Sequence, residues 1–322
     1  MISQATTPAV DRPSTAAGVL VVALFVVSIQ DAIVKAISDD VSLWQFQAVR
    51  SAINLLLLLG LGMVWAGRAM RWPKRLWAVA LRSLLLVITM VLFFGAIPFL
   101  PLADVAAGAH TFPIFVTLFA LVLPGERVGW RRLSAVGVGI IGSLLVLRPG
   151  SAEFSTMMLM PLCSAVSFAG FIIVTRRLCR EEHPLTLSYG VLAGYALTGG
   201  IGVAVLSTMP QPGLAAEWPY LFTAWQPLTL TVLAIIACAS VLNISAQLCM
   251  TYAYQHAESS WLAPFEFTYL LFAVLLGGFV FGEWPDGPAI AGMLLIAAAG
   301  TVIALREEAV TDRVPDRTVG RR

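Results

Sequence analysis

The sequence predicts an all-α integral membrane fold, with ten transmembrane helices arranged as two inverted five-helix repeats. Three observations carry this expectation: a shortage of charge, apolar runs of membrane-crossing length, and a motif that returns in the second half of the chain.

Hydrophobic residues make up 59% of the 322 and charged residues only 12%. A soluble domain is close to half apolar but a quarter charged, so this chain lacks the residues to cover a watery surface. The net charge of +2 leaves no basic face dense enough for nucleic acid. The cysteines at 163, 179, 238 and 249 stand singly in apolar runs, as small packing residues rather than a disulfide framework or a metal site. The first sixteen residues are polar and a long apolar run follows without a small-residue cleavage site, which reads as a retained first span.

A bilayer core takes roughly 20 apolar residues per helix. Ten segments meet or approach that length: 17–37, 43–66, 76–100, 102–123, 133–147, 157–175, 187–206, 228–254, 261–281 and 290–305. Turn clusters separate them, among them Ser38-Asp39-Asp40, Leu123-Pro124-Gly125 and Trp284-Pro285-Asp286-Gly287. The longest connection, Thr208 to Pro227, holds four prolines and no lysine or arginine. After Arg306 the chain is charged and poor in apolar residues, the signature of a disordered tail.

Basic residues set the expected orientation. With the N-terminus in the cytoplasm, ten spans collect Arg68, Arg71, Lys74 and Arg75, then Arg127, Arg131 and Arg132, then Arg176, Arg177 and Arg180, and the C-terminal arginines on the cytoplasmic side. Only Arg148 falls outside, while Lys35, Arg50 and Arg82 lie within spans. Both termini are therefore expected in the cytoplasm, with the chain in the inner membrane.

Gly125-Glu126 closes the fourth span, followed by Gly142 and Arg148; Gly282-Glu283 closes the ninth, followed by Gly300 and Arg306. Glutamate to glycine is 16 residues in one copy and 17 in the other, and glycine to arginine is 6 in both. Each half holds an odd number of spans, so the second half inserts upside down. Inverted repeats recur in secondary transporters, with the substrate near the midplane between the halves.

The segment Leu100-Pro101-Leu102-Ala103-Asp104 through Phe112-Pro113, with Gly125-Glu126 and Gly139-x-x-Gly142, resembles the EamA repeat of the drug/metabolite transporter superfamily. Its counterpart is Ala263-Pro264-Phe265-Glu266-Phe267, Phe281-Gly282-Glu283 and the glycine of the tenth span. The resemblance implies a cytoplasmic tail at 1–16, a first repeat at 17–149, a second at 150–305 and a disordered cytoplasmic tail at 306–322. It also implies a carrier of amino acids, nucleotide-like compounds or other small organic metabolites. The Pro-Phe-Glu-aromatic run at 264–267 is similar to that of bacterial members for S-adenosylmethionine or riboflavin uptake, with Phe267 where a tyrosine is expected.

Charges inside a bilayer cost about 2.5–3.5 kcal/mol each or more, so they turn toward partners or water. Asp31, Lys35 and Arg50 form an outer group, with Gln30 beside Asp31 and depth that lets Arg50 reach Asp31; Arg82 and Glu266 form an inner group that can face each other across a cavity. In the functional reading Asp31 or Glu266 holds a solute cation or a coupling proton, and Arg82 or Arg50 an anionic group. In the plainer one, Asp31 and Arg50 are a structural pair and Lys35 snorkels. His110, one turn before Pro113, is either titratable or bonded to a neighbouring helix. Pro113 and Pro264 free carbonyls within spans, as hinges or static kinks. Trp261, Phe265 and Tyr269 recur four apart beside Glu266, a stripe for stacking a planar ring or for packing. Asn243, Gln247 and Tyr254 share a face of the eighth span and are candidates for the same cavity. Ala135, Gly139 and Ser143 form a small-residue strip that suits a homodimer contact or packing within the subunit. Glu126 and Glu283, at helix ends, read as structural.

The partners expected are a small-molecule solute, the lipid bilayer and a coupling proton; no cofactor is implied. An intramembrane enzyme would show clustered chemistry, yet there is no H-E-x-x-H, G-x-S-x-G or P-loop. A passive channel remains the other alternative.

Overall fold

A backbone crossing hydrocarbon has no water to bond, so its amides find partners within the helix. The computed structural model describes residues 13–65, 72–123, 129–150, 154–257 and 259–311, and among them there is no strand. The first half contains α1 (Pro13–Ala36), α2 (Leu43–Trp65), α3 (Leu76–Ala96), α4 (Leu102–Ala109), α5 (Phe112–Val122) and α6 (Trp130–Leu147). The second contains α7 (Leu159–Leu178), α8 (Pro184–Thr208), α9 (Pro212–Glu217), α10 (Pro219–Phe222), α11 (Leu230–His256), α12 (Ser259–Glu266), α13 (Thr268–Phe281) and α14 (Gly287–Thr311).

Among the described residues nine stretches are long and apolar enough to cross a membrane, with α4–α5 and α12–α13 counting as one each. The second predicted span, α2, has the length at 23 residues but carries Gln45, Gln47, Arg50 and Asn54. All four are buried, whereas Leu56 on the same helix is 69% exposed. The helix hides its polar side among other helices and offers leucine outward, as do Leu197, Phe279 and Leu294 elsewhere.

Two expectations change. The tail does not begin at Arg306, because α14 runs on to Thr311. The proline-rich connection after α8 is not a plain loop: Pro212 and Pro219 each open a short helix, where the missing N–H costs nothing. The polar N-terminus, Arg68, Arg71, Gly125, Glu126, Arg127 and the chain beyond Thr311 lie outside the described residues.

The halves interdigitate. Helix α1 packs on α11, and α3 packs on α7; α2 meets α8 and α6 meets α14. Exchanging the repeats turns the first contact into the second and leaves the last two in place, as a two-fold axis requires. Lipid gives apolar surfaces no drive to associate, so close van der Waals contact must hold these helices. At the α6–α14 crossing, a methyl on Gly142 would lie 2.8 Å from the Gly292 carbonyl oxygen, and one on Gly292 would lie 2.6 Å from that of Gly142. The strip Ala135, Gly139 and Ser143 is buried in the same subunit, with Gly139 against Ile114 and Ala299, so it offers no surface to a second copy.

Candidate functional site

Two spans are broken, at equivalent positions of the two repeats. Helix α4 stops at Ala109 and α5 starts at Phe112; α12 stops at Glu266 and α13 starts at Thr268. His110 and Phe267 stand at the breaks, each 16 residues ahead of its Gly-Glu glutamate. At each break a threonine hydroxyl recovers a released carbonyl, with Thr111 donating to Gly108 O at 2.6 Å and Thr268 to Phe265 O at 2.7 Å. The breaks meet: the His110 and Phe267 rings lie edge to face at 5.9 Å.

Beside this junction, His110 stacks on Tyr269 at 4.9 Å with planes 15° apart. The Tyr269 hydroxyl donates to Asp31 Oδ2 on α1 at 2.7 Å, and Gln30 Nε2 donates to Asp31 Oδ1 at 3.3 Å. Asp31, Gln30 and Tyr269 are all buried. His110 bonds through Nδ1 to Ala106 O of its own helix, at 2.9 Å, rather than to a neighbouring helix. Arg50 does not form an ion pair with Asp31. It lies over the rings of Phe46 at 5.5 Å and Phe94 at 5.0 Å, with Asp31, Tyr195 and Tyr220 within electrostatic reach.

The expected inner group does not assemble. Arg82 lies over the Phe171 ring at 4.5 Å, and donates to Thr175 Oγ1 at 2.9 Å and Leu187 O at 3.3 Å. Glu266 accepts instead from the Tyr254 hydroxyl of α11 at 2.5 Å. Different helices capture the two side chains, so neither faces the other. Of the eighth-span candidates, only Tyr254 is thus tied to a site carboxylate; Asn243 is half-buried and Gln247 exposed. The predicted aromatic stripe is cut by the break at Phe267. Trp261 is 51% exposed and only 6.2 Å from the Phe265 ring, while Tyr269 turns inward on the next helix.

One end of the bundle is closed by charge. Lys35 Nζ donates to Glu283 at 2.5 and 2.7 Å and to Leu100 O at 2.7 Å; Glu283 also accepts from the Leu102 amide at 3.2 Å. Lys35 therefore does not snorkel; it joins the end of α1 to the end of α13 and the start of α4. Arg148 pairs with Asp286 nearby, and Asp104 lies within electrostatic reach of all four charges. At the other end Glu182 accepts from the amides of Lys74 at 3.1 Å and Arg75 at 2.8 Å.

Tyr195, Asn54 and Tyr220 escaped sequence reasoning. Tyr220 lies in the connection after α8, which docks through Trp44 Nε1 donating to Leu221 O at 2.7 Å and Gln45 Nε2 donating to Gln226 O at 2.8 Å. Among the described residues no group of three histidines, cysteines or carboxylates is placed to hold a metal ion.

A family model described as the EamA-like transporter family matches residues 14–148 and again 155–305. The pseudopaline exporter CntI of Pseudomonas aeruginosa is 29% identical over 280 residues, 87% of this chain and 92% of that protein. A riboflavin transporter of Rhizobium johnstonii is 27% identical over 280 residues, 86% and 84% of the two chains. An S-adenosylmethionine uptake transporter of Rickettsia prowazekii is 22% identical over 284 residues, 87% and 89%. One crystal structure shares the fold with a TM-score of 0.58 at 17% identity, covering 92% of this chain and 99% of that one.

Proposed function

This chain belongs to the EamA-like transporter family, and on that premise we propose a secondary carrier that moves a small organic metabolite by alternating access. The observation that carries the reading is the meeting of two symmetry-related helix breaks, His110 against Phe267, beside the buried Tyr269–Asp31 bond. A break leaves backbone groups and polar side chains usable at membrane depth, and each half can pivot there. Rocking the halves exposes the junction to one face and then the other. Closing one end with Lys35–Glu283, and the opposite end with Glu182 on Lys74 and Arg75, supports such a cycle.

In this reading Asp31 carries the coupling proton. Glu266, bonded to Tyr254, is the second candidate. The arginine-rich connections face the cytoplasm, the Lys35–Glu283 end faces outward, and the membrane is the inner one. The relatives supply the first solutes to try: riboflavin, S-adenosylmethionine and pseudopaline, extended to a metabolite panel.

The test is reconstitution in liposomes. Saturable counterflow of one of these solutes is expected, and leakage without saturation in every case would refute the carrier. Asp31→Asn is expected to keep counterflow and lose accumulation driven by a pH gradient. Uphill transport at the normal level in that variant would remove the proton from Asp31.

A further inference from the structure

Arg50 is 8% exposed, and among the described residues its guanidinium makes no hydrogen bond and no ion pair. Its five N–H donors are unused, in a chain where each buried donor left unmade is costly. The nearby carboxylate does not serve them, because both Asp31 oxygens already accept from Tyr269 and Gln30. Other buried groups there are unmatched too. The Tyr220 hydroxyl, the Asn54 carbonyl oxygen and the Gln30 carbonyl oxygen all lack a partner. Asn54 lies one turn beyond Arg50 on α2, Gln30 adjoins Asp31, and Tyr220 is within electrostatic reach of Arg50. By contrast Arg82, the other candidate for an anion, is engaged by Thr175 and Leu187.

A planar cation flanked by aromatic faces, with unused donors beside an unused hydroxyl, has the chemistry that receives an oxyanion in two parallel bonds. We infer that Arg50 seats an anionic group of the transported solute, a carboxylate or a phosphoryl group, with the Tyr220 hydroxyl donating to the same oxygens. The inference rests on the carrier reading above and narrows its substrate class. It also assigns the connection after α8 a part in binding, since α10 brings Tyr220 to the site.

The experiment uses the full chain in detergent micelles at constant ionic strength. Thermal stability is titrated with matched probes that differ in charge: acetate against acetamide, succinate against succinamide, glycerol 3-phosphate against glycerol. At least one anionic member is expected to stabilise the wild-type protein saturably where its neutral partner does not. Arg50→Gln is expected to weaken that anion at least about tenfold, the loss of one charge-assisted contact. The ligand-free Tm of the variant should be unchanged or higher, because no internal partner is lost. A wild-type protein that treats every pair alike, or an Arg50→Gln variant that keeps the anion response, overturns the inference. If the glutamine variant does not fold, Arg50→Lys is read instead. Weaker anion binding in it supports the planar fork, and unchanged binding overturns it. Anion binding without solute counterflow in liposomes would retain this site and sink the carrier. Counterflow of an uncharged solute by wild type and Arg50→Gln alike would do the reverse.

Discussion

The Lys35–Glu283 pair is a contact between halves whose energy can be bounded from its geometry. Lys35 has a side chain 9% exposed and Glu283 one 27% exposed. Changing Glu283 to Gln removes the negative charge from two short contacts and leaves the ammonium with the Leu100 carbonyl as its remaining strong acceptor. Breaking a fully buried pair costs about 3–5 kcal/mol, and exposed pairs give about 0–1. A glutamate a quarter exposed belongs between them, so Glu283→Gln should cost about 2–3 kcal/mol. For a chain of this size that is a Tm drop of about 4–8 °C. Lys35→Met should cost a similar amount, and the double variant should recover about 2 kcal/mol relative to the sum of the single changes. Thermal unfolding of the four proteins in detergent gives the cycle. A coupling below about 0.5 kcal/mol, with both single variants folded, would mean that this end of the bundle is not held shut by the pair.

Gly142→Ala should lose about 1–3 kcal/mol, because the new methyl meets the Gly292 carbonyl and the Leu295 side chain. Gly137→Ala, with nothing within 4 Å, should be neutral or slightly stabilising, and equal Tm values for the two would refute the close crossing. Tyr269→Phe should retain the stack on His110 and lose about 1.5–3 kcal/mol with the bond to Asp31, measured by chemical denaturation. Arg82→Ala should lower the Tm and leave solute affinity unchanged; normal stability with weakened binding would return Arg82 to the site.

The spans were legible because membrane length and apolar content are local properties of the sequence. The repeat was legible because Gly-Glu and the following Gly and Arg return at nearly fixed spacing. The breaks were not. Pro113 lies after the first break and opens α5, whereas Pro264 lies inside α12, before the second. Equivalent breaks with prolines on opposite sides follow no local rule; the packing of His110 against Phe267 fixes them. Asp31 was recognisable as a buried charge, but its partner is 238 residues away and belongs to a helix whose rotation only the assembled bundle sets. The expected Arg82–Glu266 pairing assumed that similar depth brings side chains together, and nearer polar groups captured both.

The exchange of partners between the repeats has a consequence for how such a protein is made. When ribosomes have finished α6, the faces of α1 and α3 that will receive α11 and α7 still have only lipid to touch. The early half therefore has no interior of its own and waits for the late half to supply one. Cutting the gene between α6 and α7 should yield two fragments that are each unstable alone and that rescue each other when made together. A single ancestral copy could have reached the same arrangement only by meeting another copy of itself inserted the other way up.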